Sequence, residues 1–450
     1  MRGRPARESV PGGRSAREPA EQAYARALPV VPVRARGLTV EGADGRRYLD
    51  CASGAGTLAL GHNHPVVLEA VRKVLDSGAP LQALDLATPL KDAFVAELLH
   101  TLPPGLAGHA RVRFCGPAGS DAVDAALALV RAATGRTGVL AFTGARHGTT
   151  AGSPEAFGRD PDVGVTRPPY PRDHRCPFGS GGERGAELTV RWTESLLDDL
   201  GPGARPPAGL ILEPVQGEGG VTPAPDAWMR RVRRITAERS IPLIADEART
   251  GVGRTGAFWA VEHSGITPDV MVLSKAVGGG LPLAVIVHRD DLDVREPGVH
   301  AGAFHGNQLA MAAGAATLAH VRANGLAGRA ATLGDRLLRQ LRCLADDFPC
   351  VGDVRGRGLM IGVEMVDPEG IRGGPGAAAR GIPPASPELA AAVRRECLSR
   401  GLIVELAGRH ASVVRLLPPL TITDEQAAAV LDRLSDAVHA VARTPAKEHP

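Results

Sequence analysis

The sequence predicts an α/β protein: a large, mostly parallel, doubly wound sheet joined to a smaller α+β unit. Three observations carry this. Strand, loop and helix patterns repeat across residues 111–287, the order that builds a parallel sheet. Apolar runs there end in polar groups: AGLILEPV around Glu213, IPLI before Asp246, and VMVL before Ser274 and Lys275. Open α/β sheets bind ligands at the carboxyl ends of their strands, so these residues are placed where chemistry is done. Beyond about residue 325 the pattern changes to the strands GLMIGVEM, LIVEL and VVRLLPPL, with a helix between the first two.

Composition bounds the function. At 450 residues the chain suggests two or three structural units. Hydrophobic residues make up 44% and charged residues 22%, ordinary for a globular protein, but aromatics only 3%, so the core is mostly Ala, Val and Leu. With 52 basic against 49 acidic residues the net charge is +3, too balanced to argue for nucleic acid or an anionic membrane. No run of eighteen apolar residues suggests a transmembrane helix. The start, MRGRPARESVPGGRSAREP, lacks the apolar core of a secretory signal, and residues 1–20 are expected to be a disordered arm. Cysteines 51, 115, 176, 343, 350 and 397 have no CxxC spacing, so no metal site is expected and free thiols in a reducing cytoplasm are.

In chain order, Val33 to Leu49 reads as a hairpin turning at Ala43-Asp44-Gly45. In CASGAGTLALGHNHP, His62 and His64 lie two apart and point opposite ways if extended, which favours a structural role over a metal site. RVRFC (Arg111–Cys115) is a strand, and Asp121 to Thr134 a helix with Val123, Leu127 and Val130 on one face. A helix opened by Gly119-Ser120 offers free N–H groups to an anion; by itself Ser120 also reads as an ordinary N-cap. GVLAF (Gly138–Phe142) is a strand leading to TGARHGTT, and Pro154 to Gly185 an irregular surface loop near the site. Asp226 is expected to cap a helix through Arg239 that buries Trp228, Val232 and Ile235. Asn307 to Arg322 is an Ala-rich helix, Asp367 to Pro387 a loop, and Thr423 to Gln426 a capping box.

Lys275 carries the sharpest chemical signal. A lysine capping a buried strand is expensive to desolvate, and desolvation lowers its pKa and readies it for Schiff-base chemistry. On residue type alone it reads first as a surface lysine, just as Glu213, Gln216 and Glu218 read as a solvated turn and Arg415 as a surface arginine. Gly251, Gly253 and Gly256 form a G-x-G-x-x-G, but four residues, EART, separate Asp246 from the first glycine. A dinucleotide fingerprint turns directly off its strand, so a nicotinamide site is disfavoured.

Taken together, LGHNHP, GPAGSDAVDAA, EPVQGEGG, the Asp246–Lys275 pair and the LLPPLTIT tail resemble the class III (fold type I) pyridoxal-phosphate aminotransferases over about residues 25–440. GAGTLALGHNHP and PPYPRDHRCPFG resemble the family's 2,4-diaminobutyrate branch. The resemblance implies a seven-stranded-type sheet in a large cofactor domain over residues 66–324, flanked by small-domain segments over 21–65 and 325–442. It implies that Lys275 carries pyridoxal 5'-phosphate and then acts as base, while Asp246 keeps the ring nitrogen protonated. Gly119 and Ser120 grip the phosphate, and Arg146, His147 and Arg249 lie about the cofactor. Glu218 is a gate pairing with Arg415, which clamps the α-carboxylate of glutamate or 2-oxoglutarate, and Glu213 also faces the substrate. The implied reaction moves an amino group between glutamate or 2-oxoglutarate and a terminal amine or semialdehyde, with 2,4-diaminobutyrate and aspartate 4-semialdehyde preferred. A sister activity on ornithine, acetylornithine, 4-aminobutyrate or lysine, or a degenerate homologue, remain open. A homodimer in the cytoplasm is expected, with amino acids and 2-oxo acids as partners, and no nucleic acid, membrane or metal. The chain departs from the family at three places: Arg146 for an aromatic, Arg249 for Gln, and Ala303 for Thr.

Overall fold

The computed structural model describes residues 28–147, 165–200, 205–294, 304–370 and 382–443. The expected arm over residues 1–20, Ala303, and parts of the loops at 154–185 and 367–387 lie outside them.

The chain begins with strands β1 (Pro32–Arg36), β2 (Thr39–Gly42) and β3 (Arg47–Asp50). β2 and β3 form the expected hairpin, and β1 adds to it antiparallel. Two helices follow, α1 (Pro65–Asp76) and α2 (Pro89–Leu99), each opened by a proline, the residue whose missing N–H is tolerated in a first turn. Then come β4 (Ala110–Phe114), α3 (Gly119–Thr134), β5 (Val139–Ala141), β6 (Val165–Thr166) and α4 (Gly182–Asp198). β7 (Gly209–Leu212) stops before Pro214, and the chain continues as a small ribbon, β8 (Val215–Gln216) with β9 (Thr222–Pro223). Helix α5 (Asp226–Glu238) leads to β10 (Leu243–Asp246), β11 (Val270–Leu273) and β12 (Val285–Arg289).

These strands make one seven-stranded sheet in the order β4-β12-β11-β10-β7-β5-β6. β12 runs antiparallel to both neighbours, and the other pairings are parallel. Its central strands are buried on both faces, which is why they read as unbroken apolar runs. The fold class expected from the sequence is the one found.

Next are α6 (Gln308–Ala323), α7 (Leu326–Asp347), β13 (Val351–Arg357), β14 (Met360–Met365), α8 (Pro387–Ser399), β15 (Leu402–Ile403), β16 (Glu405–Ala407), β17 (Val413–Leu416) and α9 (Asp424–Ala442). A second sheet has the order β13-β14-β17-β16, while β15 pairs in parallel with β3 and so ties the end of the chain to its beginning. The capping box forms as expected: Thr423 Oγ1 accepts from Gln426 N–H at 3.2 Å and Gln426 Oε1 from Thr423 N–H at 3.0 Å. No helix among the described residues is long and apolar enough to cross a membrane.

Several local expectations need correction. Asp226 does not cap α5; Pro225 holds that position and the Asp226 carboxylate accepts from Arg357 Nη1 at 2.9 Å. Helix α3 starts at Gly119, so Ser120 lies in its first turn and is not the N-cap. The stretch expected as a surface loop buries Tyr170 and Cys176, and α4 begins within it at Gly182. Tyr170 joins Phe142 and Trp228 in an aromatic cluster and donates to the Glu213 carbonyl at 2.8 Å, a tertiary contact no local pattern announces.

Helix α6 packs behind the turn that carries Lys275. A Cβ on Gly314 would sit 2.2 Å from the Val277 carbonyl oxygen and 2.9 Å from Phe94 Cε2. Alanine is the better helix former by about 1 kcal/mol. Gly314→Ala should nevertheless destabilise the protein, by roughly 1–3 kcal/mol, because overpacking outweighs propensity. Urea unfolding checks this, and a stabilised variant would contradict the close packing.

Candidate active site

The parallel strands bring their carboxyl ends to one edge. β4 leads to Gly119 and Ser120, β5 to Arg146 and His147, β7 to Glu213, and β10 and β11 end at Asp246 and before Lys275. This is the edge at which α/β sheets bind ligands.

Asp246 is 7% exposed and His147 3%. His147 Nδ1 bonds Asp246 Oδ2 at 2.8 Å, and Asp246 Oδ1 accepts from Ala248 N–H at 3.1 Å. Burial works to raise the Asp246 pKa, but His147, Ala248 N–H and the Lys275 charge outweigh it and hold the carboxyl below its usual range. Burial likewise works to lower His147, and the contact with Asp246 reverses the sign and raises it. His147 Nε2 is buried without a hydrogen-bond partner among the described residues.

Lys275 follows a strand that is wholly buried. Its backbone is left-handed, with φ of 56°, a conformation most side chains avoid. Burial first, then the charges of Arg249 and Arg415, drive its amine down to about 7 against the pull of Asp246 and Glu213. The following Gly279 and Gly280 have φ of 63° and 92°, and a Cβ on Gly279 would meet the Ala313 carbonyl oxygen at 2.5 Å. These glycines let the turn lie flat on α6.

Lys275 is one of four lysines in the chain, with Lys73, Lys91 and Lys447. In the protein freed of any bound carbonyl compound, an amine-selective reagent should therefore modify Lys275 with a pH midpoint near 7. Its reactivity rises as pH passes that value, because only the neutral amine attacks, whereas an ordinary lysine titrates near 10.4. Peptide mapping after pulse labelling across pH 6–10 checks this, and an ordinary alkaline midpoint would exclude a desolvated Lys275.

A chain of charges borders these groups. Glu218 Oε1 accepts from Arg415 Nη1 at 3.0 Å and also from Arg249 Nη1. Arg415, 3% exposed on β17, donates from Nη2 to Glu405 Oε2 at 2.7 Å and from Nη1 to the Gly217 carbonyl at 3.2 Å. Burial opposes ionisation of Glu218, yet the two guanidiniums pull it down to about 2. Glu405 went unnoticed in the sequence. Its signal is an acid inside the apolar strand LIVEL, and the register places it directly across from Arg415.

Two residues sit differently from expectation. Glu213, expected to face the substrate, is buried, with Oε1 accepting from Arg146 N–H at 3.1 Å and Oε2 from Gly217 N–H at 2.8 Å. It fixes the two loops that flank the site. The Arg146 side chain is exposed, lining a cleft of about 900 Å³ with Arg167, Arg172, Arg409 and Glu218.

The G-x-G-x-x-G segment is a clasp. A Cβ on Gly251 would strike Trp259 at 2.5 Å, and one on Gly256 would meet Ala331 at 2.9 Å. Between them, buried Arg254 donates to the Leu359 carbonyl at 3.1 Å and to that of Pro418. His62 Nε2 bonds Asp50 Oδ2 at 2.8 Å. Among the described residues, no group of three or more His, Cys, Asp or Glu could hold a metal ion.

The donor set fits an aldehyde cofactor with a pyridine ring and a phosphate. It offers a lysine amine near pKa 7, a buried carboxylate for a protonated ring nitrogen, and an unpartnered histidine nitrogen beside it. It also offers the start of α3, sixteen residues long, whose N-cap Ala118 makes no side-chain cap bond. Asp121, the acid in that first turn, folds back onto Ala118 N–H at 2.9 Å.

Comparison with known proteins agrees with this fit. The family model for class-III aminotransferases matches residues 21–438. Diaminobutyrate–2-oxoglutarate aminotransferase of Rhizobium meliloti is 50% identical over 432 residues, covering 94% of this chain and 90% of that protein. The enzyme of the same name from Haemophilus influenzae is 43% identical over 425 residues, covering 93% and 92%. Among solved structures, an amine transaminase from an uncultivated Pseudomonas species, in its pyridoxal-phosphate form, superposes with a TM-score of 0.83 at 29% identity, covering 94% of this chain and 98% of that one.

Proposed function

The chain belongs to the class III aminotransferases, pyridoxal-phosphate enzymes, and from that premise we propose that it transfers an amino group between glutamate or 2-oxoglutarate and the terminal position of 2,4-diaminobutyrate or aspartate 4-semialdehyde. The substrate choice rests on the two relatives, 50% and 43% identical, that carry this activity in their names. The observation that carries the chemistry is the lowered amine of Lys275 beside the buried Asp246–His147 pair.

Lys275 would hold the cofactor, Asp246 its ring nitrogen, and the N–H groups of Gly119 and Ser120 its phosphate. His147 orients Asp246 and keeps it ionised. When bound, pyridoxal phosphate supplies an electron sink for the pair left behind when a proton leaves the amine-bearing carbon. Lys275 Nζ, driven down to about 7 and so substantially uncharged at neutral pH, takes that proton as general base. Arg415 receives the carboxylate that glutamate and 2-oxoglutarate bear on the reacting carbon, through the Nη1 that bonds Glu218 while Glu405 keeps Nη2. Diaminobutyrate carries no carboxylate on its reacting terminal carbon. Glu218 therefore covers Arg415 for the diamine and uncovers it for glutamate.

We also read residues 66–324 as the cofactor domain, with 21–65 and 325–442 as small-domain segments, and the protein as a cytoplasmic homodimer. Supporting the dimer, Leu81, Leu84, Leu86 and Phe304 are exposed on segments joined by the Ala83 N–H to Gly306 carbonyl bond. Supporting the compartment, none of the six cysteines is joined in a disulfide.

The test is the absorbance of the purified protein with pyridoxal phosphate, before and after glutamate. A bound-cofactor band that glutamate shifts, and 2-oxoglutarate restores, is expected. Diaminobutyrate should shift it too, and ornithine, lysine or 4-aminobutyrate should do so less efficiently. A band that glutamate leaves unchanged would remove it as donor, and no band at all would overturn the activity.

A further inference from the structure

Arg249 is the part of the site that the proposed reaction does not yet use. It follows β10 by three residues, and its stem lies over the backbone of Gly217: a Cβ there would sit 2.7 Å from Arg249 Cδ and 2.9 Å from Nη1. Its side chain is only 12% exposed. Its Nε is buried without a partner among the described residues, while Nη1 reaches Glu218 Oε1. Arg415 Nη1 reaches that same oxygen. Glu218 thus sits between two guanidiniums, and Arg415 sits between two carboxylates, because Glu405 holds its Nη2. The four side chains form one row: Arg249, Glu218, Arg415, Glu405.

The consequence follows from charge. For a substrate carboxylate to use Arg415, Glu218 has to leave. A half-buried carboxylate leaving its only cation would be stranded in a poorly solvated place, at a cost that opposes opening. In this row Glu218 can give up Arg415 and keep Arg249. Arg415 meanwhile stays anchored by Glu405 and turns only one nitrogen over to the newcomer. We propose that Arg249 is the second seat of Glu218, a positioning residue that lowers the cost of uncovering Arg415 and so tunes the enzyme toward substrates with a carboxylate on the reacting carbon. This deepens the proposed function and rests on it.

The direction is fixed by the geometry. With glutamine at position 249, Glu218 has one cation and closes harder on Arg415. Arg249→Gln should weaken the half-reaction with glutamate roughly tenfold in apparent affinity, about what one charge-assisted hydrogen bond contributes. Removing the charge also relieves Lys275, a rate effect common to both half-reactions, so the discriminating quantity is the ratio: the apparent affinity for diaminobutyrate, which leaves Glu218 in place, should fall several-fold less than that for glutamate. Arg249→Lys, which keeps the charge, should recover much of the loss. A readout independent of turnover is calorimetric binding of glutarate, an unreactive dicarboxylate, to the holoenzyme; it should weaken in parallel. Gly217→Ala, which crowds the Arg249 stem without removing the charge, should move both quantities the same way.

Equal losses of apparent affinity for glutamate and diaminobutyrate with the cofactor band intact would overturn the inference, since Arg249 would then act only through the cofactor, Lys275 or the fold. Tighter glutarate binding in Arg249→Gln would overturn it in the other direction, making Arg249 a lock. Failure of the parent reading is distinguishable, because it appears in the unmodified protein: glutamate leaves the cofactor band unchanged before any variant is made.

Discussion

Lys275→Ala should abolish turnover, lowering kcat by more than about 10,000-fold, since the variant loses both the amine that holds the cofactor and the general base. Two physical facts make the effect this large. The amine is poised near neutrality by burial and by two neighbouring guanidiniums. It is also carried on a left-handed backbone, followed by a glycine turn packed against the Ala313 carbonyl. Of the other described lysines, Lys73 lies on α1 and Lys91 on α2, and neither follows a strand of the parallel sheet as Lys275 does. The check is steady-state turnover together with mass spectrometry after borohydride reduction. The peptide containing residue 275 should carry the cofactor mass in the parent protein and lose it in the variant. Activity within tenfold of the parent, or the mass found on another lysine, would remove Lys275 from the role proposed for it.

Asp246→Asn should cost about 100- to 1,000-fold in kcat, the range seen when one preorganised electrostatic partner of a reacting system is removed. Asparagine keeps the size and one hydrogen bond to His147 but not the charge that holds a proton on the ring nitrogen. The glutamate concentration for half-saturation should change little, because in the proposed reaction Asp246 faces the cofactor and Arg415 the substrate. Asp246→Ala should add a stability loss of roughly 3–5 kcal/mol, as expected when one member of a buried ionic pair is removed. The comparison separates chemistry from folding: the asparagine variant should unfold near the parent's denaturant midpoint and still be slow. A fast, normally folded asparagine variant would exclude the proposed role.

The four elements β5, β7, β10 and β11 were legible because buried parallel strands must be continuous apolar runs, and their polar terminators mark the sheet edge. Asp246, Lys275, Gly119 and His147, expected at the site on that basis together with the family resemblance, all follow or end strands at this edge. Asp226 misled because an acid before an apolar stripe looks like a cap, whereas Arg357, 131 residues away, claims its carboxylate. Glu213 misled for a related reason. Sequence reveals an acid at a strand end but not whether its oxygens are already engaged by the N–H groups of Arg146 and Gly217.

By itself, then, the sequence determined the sheet and the polar residues at its carboxyl edge, which follow from local pattern: period, run length and the residue type that ends a run; the roles expected of Asp246 and Lys275 came from the family resemblance. Only the tertiary structure decided how the charges are shared. Arg249, Glu218, Arg415 and Glu405 come from the loop after β10, the loop after β8, and strands β17 and β16. The Glu218–Arg415 pairing could be expected from the family, but its extension to Arg249 and Glu405 could not. Electrostatic partnership depends on distances of a few ångströms between side chains far apart in the chain, and no local pattern encodes those distances.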